Sequence, residues 1–179
     1  ADAKGIFDLL DVLREHREEF KDKLILHVGG NGEVDRFNQF VIDNTLQDMV
    51  VYEGWVSGDK KVNLLNLCDV YVLPSYESGQ PCWSYVIDFP LYDESLSILE
   101  AMSYDMAIVA SNVGGIPELV NETNGIMFNP GDKEAIYQSL KALLGSSVKL
   151  DNLKSNASKG VEMHYADKVE KRLEKIYKE

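Results

Sequence analysis

Residues 95–120 read SLSILEAMSYDMAIVASNVGGIPELV. The stretch predicts a short helix over 95–104, a buried strand over 106–110, and a Gly-Gly-Ile-Pro-Glu turn that opens another helix at Pro117. A helix followed by a continuous apolar strand, without polar alternation, is the pattern of a parallel sheet covered on both faces. Within the helix Glu100 is a lone charge among Ile98, Leu99, Ala101 and Met102. An acid at the edge of an apolar helix face is costly without a partner. Glu100 is therefore a candidate functional residue, and a sugar hydroxyl is one partner that would suit it.

The same alternation extends in both directions. Upstream, residues 5–20 place Ile6, Leu9, Leu10 and Leu13 on one helical stripe, and 23–28 (KLILHV) predict a strand ending in Gly29-Gly30-Asn31-Gly32. Residues 33–47 predict a helix and 50–53 a strand followed by GWVSG. Residues 59–67 predict a helix with Asp59 near its N-cap, and 70–73 a strand stopped by Pro74. Downstream come a strand over 125–128, a helix over 132–144 after the Pro130-Gly131 turn, and a long charged helical tail over 153–178. Residues 80–93 (QPCWSYVIDFPLYD) have no clear period and predict an inserted loop or short hairpin. The whole order predicts an α/β fold, a Rossmann-like parallel sheet flanked by helices, as a single domain over 1–179. In such sheets ligands sit outside the C-terminal ends of the strands.

Composition narrows the function. The 179 residues carry 18 Lys and Arg against 30 Asp and Glu, a formal net charge of −12. No basic patch is present to neutralise phosphate backbones, so nucleic acid is excluded as the expected partner. No apolar run approaches the ~18 residues that span a bilayer. No secretory signal opens the chain, and the cytoplasm is the expected compartment. Cys68 lies in an apolar run and reads as a small core residue; Cys68 and Cys82 have no metal-ligand spacing. His27, inside a strand, reads as a satisfied core residue, and no metal site is expected.

The phrases Leu99-Glu100-Ala101-Met102 and Gly114-Gly115-Ile116-Pro117-Glu118 resemble the donor-binding, C-terminal lobe of GT-B retaining glycosyltransferases (glycosyl transferases group 1). That family's motif is a glutamate, seven residues, then a second glutamate in the phrase LEAM. The resemblance implies two Rossmann-like lobes, with a nucleoside diphosphate sugar between them and the acceptor, a saccharide or lipid-linked glycan, held through the other lobe. Family lobes of this kind open with a strand and a Gly-Arg turn before a Lys-Gly. Here ADAKG looks like the end of that turn, which implies a lobe truncated at its N-terminus and one strand short.

The resemblance also assigns roles. Lys4 would contact the donor diphosphate, aided by the backbone amides of Ser95, Leu96 and Ser97 at a helix start. Glu100 would hold the ribose hydroxyls. Trp55 and Val56 would lie beside the nucleobase, although Trp55 reads equally as a packed core aromatic. The first motif glutamate falls at Tyr92, which leaves two candidates for the catalytic position. Glu77 follows a family-like Pro74-Ser75-Tyr76 lead-in, and Glu94 sits in a shortened copy of the motif. Asp105 and Ala107 stand where the family usually has Gly and Pro. No cofactor beyond the donor substrate is implied. The rival readings are a non-catalytic Rossmann-like interaction domain and a nucleotide-sugar epimerase-like lobe.

Overall fold

The computed structural model describes residues 4–76 and 93–161, with the backbone alone at 93–95. The first helices are α1 (Ile6–Glu15) and α2 (Arg17–Phe20), followed by β1 (Leu26–Gly29), α3 (Val34–Asp43), β2 (Val50–Gly54), α4 (Gly58–Leu67) and β3 (Val70–Leu73). Then come α5 (Asp93–Ser103), β4 (Ala107–Ser111), α6 (Ile116–Leu119), β5 (Gly125–Phe128), α7 (Lys133–Leu144) and α8 (Ser147–Val161). The five strands lie within three residues of the predicted positions, and every pair is parallel. The predicted insertion over 80–93, apart from the helical backbone at Asp93, and the tail beyond 161 lie outside the described residues.

Strand pairing divides the sheet. β1 pairs with β2, and β3–β4–β5 form a second ladder in that order; no pairing joins β1 to β3. The two ladders nevertheless share one core. Val70, Val72, Ala107, Val109, Ile126 and Phe128 point to the same apolar cluster as Leu26, Val28, Val50 and Tyr52, together with Phe7, Leu10 and Leu13 of α1. The period-2 alternation of the strands sends Tyr71, Leu73, Ile108, Ala110 and Met127 to the other face, where they meet Ile98, Ala101 and Met102 of α5. On that second face β1 and β2 carry His27 and Glu53, joined Nδ1 to Oε1 at 2.9 Å. His27 is thus satisfied, as its place in a strand predicts.

Several helix boundaries differ from the sequence reading, among them α8, which starts at Ser147 rather than at 153. The helix predicted over 33–47 stops at Asp43, and the reason is backbone geometry. Thr45 takes a left-handed conformation, φ 53°, and the amides of Thr45 and Leu46 donate to Ile42 and Val41 oxygens. This is the Schellman termination that usually uses glycine; with threonine in place, the sequence carries no stop signal. The helix predicted over 5–20 is broken at His16 into α1 and α2. In addition, α4 starts one residue earlier than expected, with Ser57 at the N-cap and Asp59 in the first turn.

Candidate functional site

The C-terminal strand ends gather most of the residues that the sequence singles out. Gly5 precedes α1 with φ 62°, and a Cβ there would lie 2.0 Å from the Pro74 carbonyl oxygen. Only glycine allows this approach, which presses the start of α1, and exposed Lys4 beside it, against the end of β3. Trp55 and Val56 follow β2 directly. Trp55 is 71% exposed, so the core-aromatic reading is set aside and its indole is open to a ligand. Val56 is half-buried and packs on Gly29, where a Cβ would meet Val56 Cγ2 at 2.9 Å. At the start of α5, Leu96 is half-exposed and Ser97 half-buried. Glu77 lies outside the described residues, and at Glu94 and Ser95 only the helical backbone is described.

Glu100 has a partner that the sequence reading missed. Its Oε1 pairs with Lys61 Nζ of α4 at 2.6 Å, with the two side chains 38% and 42% exposed. The hydrogen bond that Lys61 donates to this carboxylate, and the carboxylate's charge, hold the Lys61 ammonium above its usual pKa. The costly acid on an apolar face is therefore already compensated. Ile98, Ala101 and Met102 turn inward and leave Glu100 at the rim of α5. A carboxylate has about four acceptor positions, so the lysine occupies part of its capacity.

A further network ties three loop ends together. Tyr76, the last described residue before Glu77, donates its hydroxyl to Asp8 Oδ2 of α1. Lys133, at the start of α7, bonds Asp11 at 2.5 Å and lies 3.6 Å from Asp8. These carboxylates hold the Lys133 ammonium above its usual pKa, the Asp11 hydrogen bond contributing most. Gly131 is fitted under the Tyr76 ring: a Cβ would stand 3.0 Å from the phenol oxygen. Beneath them the Ser111 hydroxyl donates to the Ser75 carbonyl at 2.6 Å. The Ser75 hydroxyl is fully buried without a hydrogen-bond partner among the described residues. No local pattern could have revealed this network, because Tyr76 and Asp8 are 68 residues apart.

The chemistry available is that of carboxylates, ammonium groups, hydroxyls and helix-start amides. Among the described residues no group of three His, Cys, Asp or Glu side chains could hold a metal ion. No helix among them is long and apolar enough to cross a membrane. A depression of about 530 Å³ lined by Arg14, His16, Arg17, Glu19, Asn44 and Thr45 sits by the end of α1 and the loop before β2, away from the strand ends that bear the candidate residues.

A parallel sheet covered by helices is a doubly wound α/β fold, in which ligands sit outside the C-terminal ends of the strands. Comparison with known proteins makes the assignment specific: the family profile of glycosyl transferases group 1 matches residues 1–146, and the chain belongs to that family. An uncharacterised glycosyltransferase of Methanocaldococcus jannaschii is 28% identical over 179 residues, covering 98% of this chain and 42% of the relative. The chain thus spans less than half the length of that relative. Among solved structures, the C-terminal domain of a group 1 glycosyltransferase (LpcC) from Francisella tularensis superposes with a TM-score of 0.70 at 19% identity, covering 91% of this chain and 80% of that one. Anabaena HepE, solved with UDP and glucose, gives a TM-score of 0.74 at 20% identity, covering 99% of this chain and 45% of that one. The fold is that of the C-terminal lobe of a GT-B glycosyltransferase.

Proposed function

We propose that the 179 residues form one donor-binding lobe of a retaining glycosyltransferase that moves a hexose from a nucleoside diphosphate sugar to a saccharide or lipid-linked acceptor in the cytoplasm. Lys4 and the first amides of α5 (Ser95, Leu96, Ser97) receive the diphosphate, and Glu100 holds the ribose diol beside Lys61. Trp55 and Val56 flank the base, and Glu77 or Glu94 positions the sugar. The leaving diphosphate is then stabilised by an ammonium and oriented N–H groups, with no cofactor required of the lobe. The observation that carries this reading is the contact of Gly5 with Pro74. That contact holds the start of α1, just after Lys4, against the end of β3, which supports Lys4 as a diphosphate contact. The nucleotide in the HepE structure supports it by analogy of fold. An acceptor bound through another lobe leaves this chain able to bind nucleotide and unable to turn over alone.

Calorimetric titration with UDP, GDP and ADP tests the reading. One of the three binds, and Glu100→Ala weakens that binding by about 1–3 kcal/mol through loss of a charge-assisted hydrogen bond. Lys61→Met, which spares the carboxylate, retains binding. An affinity untouched by Glu100→Ala would remove the ribose role, and no binding of any of the three would remove the donor-lobe reading.

A further inference from the structure

The Lys61–Glu100 pair does more than compensate a charge, because of where the fold puts it. Lys61 is the fourth residue of α4, and its amide donates to the Ser57 carbonyl at 3.4 Å. It therefore lies at the first turn of the helix that follows β2, directly after Trp55, Val56 and Ser57. Glu100 lies on α5, about one turn beyond Leu96 and Ser97. Helical side chains lean toward the N-terminus of their own helix, so the Glu100 carboxylate reaches back toward the early turns of α5. Its contact with Lys61 Nζ at 2.6 Å places it against the first turn of α4. The pair thus bridges two helices near their starts, between the Trp55 loop and the early turns of α5.

Each partner keeps capacity that the other leaves unused. An ammonium has three N–H donors, and a carboxylate has two oxygens with about four acceptor positions. Among the described residues the Lys61 ammonium pairs with one carboxylate, and it does so through Oε1 of Glu100. Both side chains are partly exposed, so a ligand can reach the remaining N–H groups and the second oxygen. The pair carries no net charge. A phosphate oxygen would be drawn to Lys61 and repelled by the carboxylate, and an ammonium would meet the reverse. A neutral group that donates and accepts at once suits both partners, and a hydroxyl is such a group. The carboxylate alone uses only the hydroxyl's proton and leaves its lone pairs without a donor; Lys61 supplies that donor.

We propose that Lys61 and Glu100 form a hydroxyl-reading pair, in which a ribose hydroxyl donates to the Glu100 carboxylate and accepts from Lys61 Nζ. This role rests on the donor-lobe reading, to which it adds Lys61 as a second side chain that touches the ribose. The pair selects nucleotides by their ribose. A deoxy sugar leaves Lys61 and Glu100 with only each other. A ribose phosphorylated at the same position sets a phosphate against the carboxylate and is rejected.

Calorimetry on the 179-residue chain tests the pair, with UDP, GDP and ADP, and then with the 2′-deoxy and 3′-deoxy forms of the one that binds. The chain prefers the ribonucleotide over at least one deoxy form by roughly tenfold. In Lys61→Met the ribonucleotide still binds, about fivefold more weakly, while that deoxy form binds as before, so the preference shrinks. Lys61→Arg, whose guanidinium also pairs and donates, keeps most of the preference. In a Glu100→Ala background, Lys61→Met still costs the ribonucleotide about twofold. An exposed ion pair adds little to stability, so these variants fold. Equal weakening of ribo and deoxy forms by Lys61→Met makes Lys61 a general attraction for the diphosphate, and overturns the proposal. A preference that Lys61→Met leaves unchanged gives the hydroxyl to Glu100 alone, and overturns it too. So does a Lys61→Met effect that vanishes in the Glu100→Ala background, because Lys61 then only holds the carboxylate in place. If none of the three diphosphates binds, the donor-lobe reading falls and the pair with it; binding without a ribose preference removes the pair alone.

Discussion

The two ladders of the sheet are built from similar sequence and reach different burial. In the β3–β4–β5 half, Ala107, Ile108, Val109 and Ala110 are all fully buried, because α5 and α8 pack on one face and the shared core lies on the other. In the β1–β2 half the first face is equally apolar, but the second shows Val51 at 39% exposure and the His27–Glu53 pair. The difference teaches that alternation assigns a side chain to a face, whereas burial depends on what lies over that face. The largest test of the contrast is therefore core truncation. Ile108→Ala should cost about 4 kcal/mol, near the upper range for a buried isoleucine, and Val28→Ala, half-buried in β1, about 1 kcal/mol. Urea denaturation of both variants measures this. Equal costs would mean that the β1–β2 half is as tightly covered as the other.

A matched pair of glycines sharpens the same contrast. In β5, a Cβ at Gly125 would lie 2.6 Å from the Ile108 carbonyl oxygen and 2.7 Å from Val120 Cγ1. A backbone oxygen within a ladder cannot step aside. At Gly29 of β1 the obstacle is the Val56 Cγ2 methyl at 2.9 Å, on a half-buried side chain that can turn. Gly125→Ala should destabilise by about 2 kcal/mol and Gly29→Ala by less than about 1 kcal/mol. A thermal melt that ranks them in the reverse order would show β1 to be the more rigid strand.

Element type was legible in the sequence because apolar strands and amphipathic helices differ in period, and all five strands are where the pattern puts them. That β1 and β3 do not pair was not legible in the strands themselves. Nothing in KLILHV or VVYE says which strand lies alongside. The site was partly legible. Trp55 and Glu100 stand out in composition, but the Lys61 partner and the Tyr76–Asp8–Lys133 network come from residues brought together by the fold. Gly5 was visible as a residue, whereas its contact with Pro74 required the position of β3.

The polar face of the weaker half makes it sensitive to acid. Hydrogen bonds from His27 and Lys60 hold the Glu53 carboxyl below its usual pKa, the His27 contact contributing most. A carboxylate with a lowered folded pKa adds stability that is fully present above its unfolded value, about 4.3. That contribution is lost as pH falls from there through the folded value. Glu53→Gln should flatten this part of the stability profile, measured by denaturation from neutral pH to about pH 3, and leave the neutral-to-alkaline limb in place. A profile that remains as steep in the variant would move the acid sensitivity elsewhere, for example to Glu19. Tyr137 and Lys141 likewise hold the Glu19 carboxyl low, Tyr137 foremost.

The finest comparison is between two helix ends, one in each half, that use the same motif with different residues. After α3, Thr45 is left-handed at φ 53°, and after α5, Asp105 is left-handed at φ 56°. The bonding is identical: Thr45 to Ile42 and Leu46 to Val41 in one, Asp105 to Met102 and Met106 to Ala101 in the other. Each motif closes on a buried apolar residue, Leu46 at 0% and Met106 at 3% exposure. The strain differs, because a β-branched threonine fits the left-handed region poorly whereas aspartate tolerates it. Glycine relieves strain at both positions but adds freedom to the unfolded chain. Thr45→Gly should therefore stabilise by about 1 kcal/mol, and Asp105→Gly by about 0.5 kcal/mol or less. The Arg17 bond to the Thr45 carbonyl is a backbone contact and survives the change. If differential scanning calorimetry finds Asp105→Gly the larger gain, the strain at these two ends is set by their surroundings in each half rather than by the residue that occupies the turn.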